Sequence, residues 1–104
     1  MGVRMTKSLA ETLQILKDHQ PELRHRGVIH AAVFGSVVRG EAGVDSDIDI
    51  LIDLDPVRPM GLFAYANLKL YINELIGGMV DVVNRKTLKS LLRDTIVREA
   101  VDAF

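Results

Sequence analysis

Residues 47 to 55, DIDILIDLD, alternate acidic and aliphatic side chains almost without interruption. Only an extended chain has this period of two, because successive strand side chains point to opposite faces. Ile48, Ile50, Ile52 and Leu54 then form one unbroken apolar face. The other face reads Asp47, Asp49, Leu51, Asp53 and Asp55. This predicts a strand over 48–54. "DPVRP" ends it, since Pro cannot donate in a ladder and restricts the residue before it.

Around that strand the chain alternates. Leu9, Leu13, Ile15 and Leu16 fall near one helical face within residues 6–20, and Pro21 marks the end of that helix. "PELRHRG" reads as a polar connector. "VIHAAVF" predicts a strand over about 28–34, closed by Gly35. Ser36 to Gly40 form a short helical turn, and "EAGVDS" is a loop with Gly43 and Asp45 as turn residues. From Met60 to Ile76 a helix is predicted, with Leu62, Phe63, Ala66, Leu70 and Leu75 recurring at helical spacing and Gly77-Gly78 as its stop. "MVDVV", 79–83, is a third strand. The last segment, from Thr87 to Phe104, predicts one amphipathic helix with Leu88, Leu91, Leu92, Thr95 and Val101 toward the core. The fold class is therefore α/β, a short sheet of three core strands packed against helices, in one domain spanning 1–104.

Composition narrows the function. Hydrophobic residues are 48% and charged residues 26% of the chain, a globular profile. The net charge of -1 gives no general pull toward nucleic acid, and "RHRG" is the one basic patch. With no Cys, disulfides, thiolate chemistry and Cys-based zinc sites are excluded, which fits a cytoplasmic protein. No apolar run approaches the ~18 residues of a membrane span. His19, His25 and His30 form no ligand cluster, and His30 reads as a packed or hydrogen-bonded strand residue.

Asp47 and Asp49 project from one face, roughly 6–7 Å apart along the strand. Two such carboxylates repel unless a cation lies between them or one is protonated, and Mg²⁺ is the hard cation that prefers oxygen ligands. The plainer alternative is the wet face of an edge strand. Asp81 is the only charged residue of "MVDVV". If its strand lies beside 48–54, Asp81 completes a triad; otherwise it is an edge-strand acid facing solvent. Asp45, Asp53 and Asp55 read as loop, strand-end and turn residues.

Gly35 closes a strand and Ser36 opens a helical turn. Glycine lets backbone approach a ligand, and amides at a helix start favour an anion. Ser36 adds a hydroxyl. Arg39 either lies near a bound phosphate or faces solvent. The chain has no G-x-x-x-x-G-K-[ST] motif, so a P-loop is excluded.

"GSVVRGEAGVDSDIDILIDLD" resembles the Gly-Ser…Asp-x-Asp signature of the DNA polymerase beta-like nucleotidyltransferase superfamily, and its size and form resemble the minimal nucleotidyltransferases. The resemblance implies a small nucleotidyltransferase fold with a mixed sheet. It also implies transfer of a nucleoside monophosphate, AMP from ATP, to a hydroxyl. Gly35, Ser36 and Arg39 would bind the nucleotide, and Asp47, Asp49 and Asp81 would be the catalytic carboxylates and the ligands of two Mg²⁺ ions. The implied partner is a toxin RNase of the HEPN type, adenylylated on a tyrosine, which makes this chain an antitoxin. Two alternatives stay open: an antitoxin that acts by binding alone, and an aminoglycoside-type small-molecule nucleotidyltransferase assembled as an oligomer. The broad apolar arc of "LFAYANLKLYINELIGG" suits an interface with a partner or a second copy.

Overall fold

The computed structural model describes residues 8–41 and 47–104. The predicted loop residues Gly43, Asp45 and Ser46 lie outside the described residues. Helix α1 spans Leu9–Asp18 and opens on a capping box: Ser8 Oγ accepts from the Glu11 amide, while the Glu11 carboxylate accepts from the Ser8 amide. Leu16 is buried, and so is Thr12, whose hydroxyl donates to the Ser8 carbonyl at 2.9 Å.

Pro21 does not end the helical region. It sits in the first turn of a second helix, α2, Gln20–His25, where a missing N–H breaks no intrahelical bond. "PELRHRG" is thus mostly helix, with Leu23 fully buried.

Strands β1, Val28–Phe34, and β2, Ile48–Leu54, have the predicted bounds and pair antiparallel. Strand β3, Val80–Asn84, runs parallel to β2. The crossover between them is helix α4, Leu62–Ile76, closed by Gly77 in the left-handed conformation at φ 77°. A fourth strand was not foreseen. Helix α5 covers only Ser90–Glu99, and the chain then turns extended at Ala100 to form β4, Val101–Asp102, on the free edge of β1. The mixed sheet therefore has the order β3-β2-β1-β4. Between β1 and β2 runs the one-turn helix α3, Ser36–Arg39.

The two sheet faces differ. Ile48, Ile50 and Ile52 meet Leu16, Leu23, Leu68, Ile72 and Ile76 in the main core, so α1, α2 and α4 cover that face. Ala32, Phe34 and Leu51 on the other face meet Leu88, Ile96 and Ala100. This second cover is partial and leaves both ends of the face open to polar residues. Of the apolar residues at helical spacing in α4, Leu62, Phe63 and Leu70 are 79%, 84% and 62% exposed, whereas Leu68, Ile72 and Ile76 are the buried positions. Likewise Leu91, Leu92 and Thr95 of α5 face outward, whereas Ile96 and Ala100 pack inward. No described helix is long and apolar enough to cross a membrane.

Candidate active site

β1 delivers Gly35, at its end, to the start of β2. Gly35 is buried at φ 86°, ψ -155°, a region that only glycine enters freely. A Cβ built on it would collide with Asp49 Oδ2 and lie 3.1 Å from Asp49 Cγ. The Gly35 backbone and the Asp49 carboxylate are therefore pressed together, which the Phe34–Asp49 strand register requires.

From Gly35 the chain enters α3. The Val38 and Arg39 amides donate to the Gly35 carbonyl, and the Glu41 amide donates to the Ser36 carbonyl at 2.8 Å. As at any helix start, the first amides of α3 lack an intrahelical acceptor. Ser36 is half-buried beside them.

Asp49 and Asp81 are direct partners in the parallel β2–β3 ladder, so their side chains stand on one face about 5 Å apart. Asp49 is half-buried; Asp81, on the edge strand, is exposed. Asp47 immediately precedes β2 and is exposed. Burial first, then the charges of Asp81 and Asp47, push the Asp49 carboxyl above its ordinary value, and Arg39 partly opposes this. That pattern marks three acids and one base within electrostatic reach of one another.

Among the described residues no three acids close around a single point tightly enough to enclose an ion. Asp47, Asp49 and Asp81 instead form an open row. An open row of hard oxygen donors fits divalent cations whose remaining ligands come from a triphosphate or water.

Arg39 is not a free cation. Its Nε donates to Glu41 at 2.9 Å and its Nη1 to both Glu99 oxygens at 2.8 Å. Its hydrogen bonds to these carboxylates hold its pKa above the ordinary arginine value. Glu99, the last residue of α5, also contributes to raising Asp49 and so reaches the site from across the sheet face. Tyr65 of α4 is a further neighbour: burial, then the charge of Asp81, raises its hydroxyl pKa. The sequence reading named neither residue as part of the site. Both lie on elements whose placement follows from tertiary packing rather than a local motif.

The other acids of the alternating strand play structural parts. Asp53 lies within β2 and bonds His30 Nδ1 at 3.0 Å; the His30 Nε2 meets Asp102 at 2.9 Å. Arg85 Nε is 3.1 Å from Asp53, yet it is not aimed as a hydrogen bond, so that contact is ionic. Asp55 accepts from the Val57 amide and shapes the turn that ends the strand. A cavity of about 520 Å³ opens at this far end, beside Asp55, Met60, Arg85 and Arg93, and none of the six predicted site residues lines it.

Comparison with known proteins identifies the family and the fold. Residues 9–103 match the family described as "Nucleotidyltransferase domain". The chain is 44% identical to the protein adenylyltransferase MntA of Thermococcus cleftensis, over 90% of this chain and 94% of the relative. A solved structure assigned to the minimal nucleotidyltransferases superposes with a TM-score of 0.75 at 37% identity, covering 96% of this chain and 98% of its own. The MNT antitoxin complex with a tri-AMPylated HEPN toxin from Shewanella oneidensis shares the fold, with a TM-score of 0.61 at 18% identity over 88% of this chain and 71% of that one. With a glycine-backed carboxylate row built on a mixed sheet, and a family match over almost its whole length, this chain belongs to the nucleotidyltransferase domain family.

Proposed function

We propose that this chain is a single-domain, metal-dependent protein adenylyltransferase of the cytoplasm. It moves AMP from ATP onto a tyrosine hydroxyl of a HEPN-type toxin and so acts as its antitoxin. The observation that carries this reading is the in-register pair Asp49–Asp81 with the Gly35 backbone against Asp49. The protein adenylyltransferase activity of the Thermococcus relative and the HEPN toxin bound by the Shewanella MNT antitoxin support the substrate and partner.

Each residue then has a role. Gly35 and Ser36 hold the triphosphate through backbone amides and the Ser36 hydroxyl. Arg39 meets a phosphate oxygen and offsets its charge. Asp47 and Asp49 would hold two divalent cations, which would supply activation of the acceptor oxygen and charge neutralisation of the leaving pyrophosphate. Asp81 stands on the open side of the row, where it takes the proton of the attacking hydroxyl. The acceptor oxygen forms a bond to the α-phosphorus as the bond to pyrophosphate breaks.

The test is incubation of the purified chain with α-labelled ATP, Mg²⁺ and a cognate HEPN partner. Label appears on the partner, and Asp47→Ala with Asp49→Ala lowers the rate by about 10³-fold or more. Protection of cells by that double variant would instead establish neutralisation by binding alone. Label on a small molecule with no partner present would establish the aminoglycoside-type alternative.

A further inference from the structure

The Arg39 guanidinium is shared by two carboxylates that differ in kind. Glu99 takes Nη1 with both oxygens at 2.8 Å, and its side chain is 22% exposed. Its backbone is fixed from both sides: the helix precedes it, the Ala100 amide bonds the Ile96 carbonyl, and β4 follows on the edge of β1. Glu41 takes Nε with one oxygen at 2.9 Å and is 64% exposed, on the segment that follows α3. An exposed single contact of that sort is worth little and is readily exchanged. Nη2 has no partner among the described residues.

A guanidinium binds a phosphate best through two parallel N–H groups. Nε and Nη2 lie on the same edge of the guanidinium plane, so removing Glu41 alone opens a complete two-point edge. Removing Glu99 leaves that edge blocked by Glu41; it opens the other two-point edge, Nη1/Nη2, and frees the group to swing. We infer that Glu99 is a positioning residue, which grips Nη1 so that the Nε/Nη2 edge of Arg39 is presented to a nucleotide phosphate, while Glu41 occupies that edge until the phosphate replaces it. The inference rests on the reading of Arg39 as a phosphate contact given above.

Opposite signs test it. Binding of Mg²⁺-ATP to the full chain is measured by calorimetry for the parent, Glu41→Gln, Glu99→Gln, Glu99→Asp and Arg39→Gln. Glu41→Gln is expected to tighten binding about 3- to 10-fold, and Glu99→Gln to weaken it about 3- to 10-fold, with Glu99→Asp between the parent and Glu99→Gln. Mere loss of a nearby negative charge would tighten both glutamine variants. Unchanged or tighter binding by Glu99→Gln, while Arg39→Gln binds weakly, overturns the positioning role alone. Unchanged binding by Arg39→Gln overturns the phosphate reading of Arg39 and the inference with it. Measurements are made below each variant's melting transition, and Glu99→Asp carries the test if Glu99→Gln does not fold.

Discussion

Replacing Gly35 with alanine sets a methyl group against the Asp49 carboxylate, at a φ that L-residues avoid. Strain of this type costs about 1–3 kcal/mol, and here it also moves a proposed metal ligand. Gly35→Ala is expected to lower the melting temperature and to cut AMP transfer by about 100-fold; a variant with parental melting and transfer would show that the close approach is dispensable. Asp49 supplies a second prediction. Burial, Asp81 and Asp47 all raise its pKa, so the folded state keeps a proton that the unfolded chain has released. Its contribution to stability is thus fully present below the ordinary carboxylate range and is lost as pH rises through the raised folded value. In chelator at pH 7, above the ordinary carboxylate range, the raised pKa counts against the folded state. Asp49→Asn should melt a few degrees above the parent there, and the difference should shrink near pH 3. Equal melting of the two proteins at pH 7 in chelator would contradict this. Gly35, Ser36, Asp47 and Asp49 were legible because one short motif holds them, and Asp81 because an acid in an apolar strand needs a reason. Glu99 was not, since nothing within ten residues of it points to Arg39.

At the level of elements, β1 and β2 were readable to the residue because alternation and flanking Gly or Pro both mark them. α4 was readable in extent but not in rotation. Its sequence is apolar over so wide an arc that Leu62, Phe63 and Leu70 look as inward as Leu68, Ile72 and Ile76, and only the packing against β2 and β3 decides. Phe63→Asp with Leu70→Asp should therefore leave chemical denaturation of the isolated chain within about 0.5 kcal/mol of the parent per site. A loss of several kcal/mol would return these residues to the core. β4 was missed because "REAVDAF" keeps helical spacing, yet the edge of β1 offers hydrogen bonds that a continued helix cannot use. His30 secures the result by joining Asp53 in β2 to Asp102 in β4. Each ring nitrogen faces a carboxylate oxygen, and Arg85 Nη2 lies 3.4 Å from Nδ1. His30→Ala should speed hydrogen exchange of the Ala103 and Phe104 amides, which donate to Ala31, by about tenfold, and leave the Leu51 amide unchanged. Uniform acceleration would mean that the contact supports the whole sheet rather than its edge.

Across the whole molecule the sheet separates two polar ends with an apolar middle. At one end Asp47, Asp49 and Asp81 form a row whose repulsion the fold only partly offsets with Arg39, itself shared with Glu41 and Glu99. At the other, His30 bridges Asp53 and Asp102, and Arg85 pairs with Asp53. The two ends differ: one pairs its acids with His30 and Arg85, whereas under the proposed function the acidic row would be completed by divalent cations. Under that function a triphosphate would add more negative charge to the row, so nucleotide and metal would bind as a unit. Anything that binds only the folded state stabilises it by about 2.7 kcal/mol at a hundredfold excess over Kd. For a domain of this size that amounts to a rise of roughly 10–20 °C in Tm. Mg²⁺-ATP is expected to give such a rise, ATP in excess chelator to give only a small part of it, and Asp49→Asn to abolish the difference between the two. An equal rise with ATP in chelator would show that the amides of α3 and Arg39 bind the nucleotide unaided, and the acid row would then need another explanation.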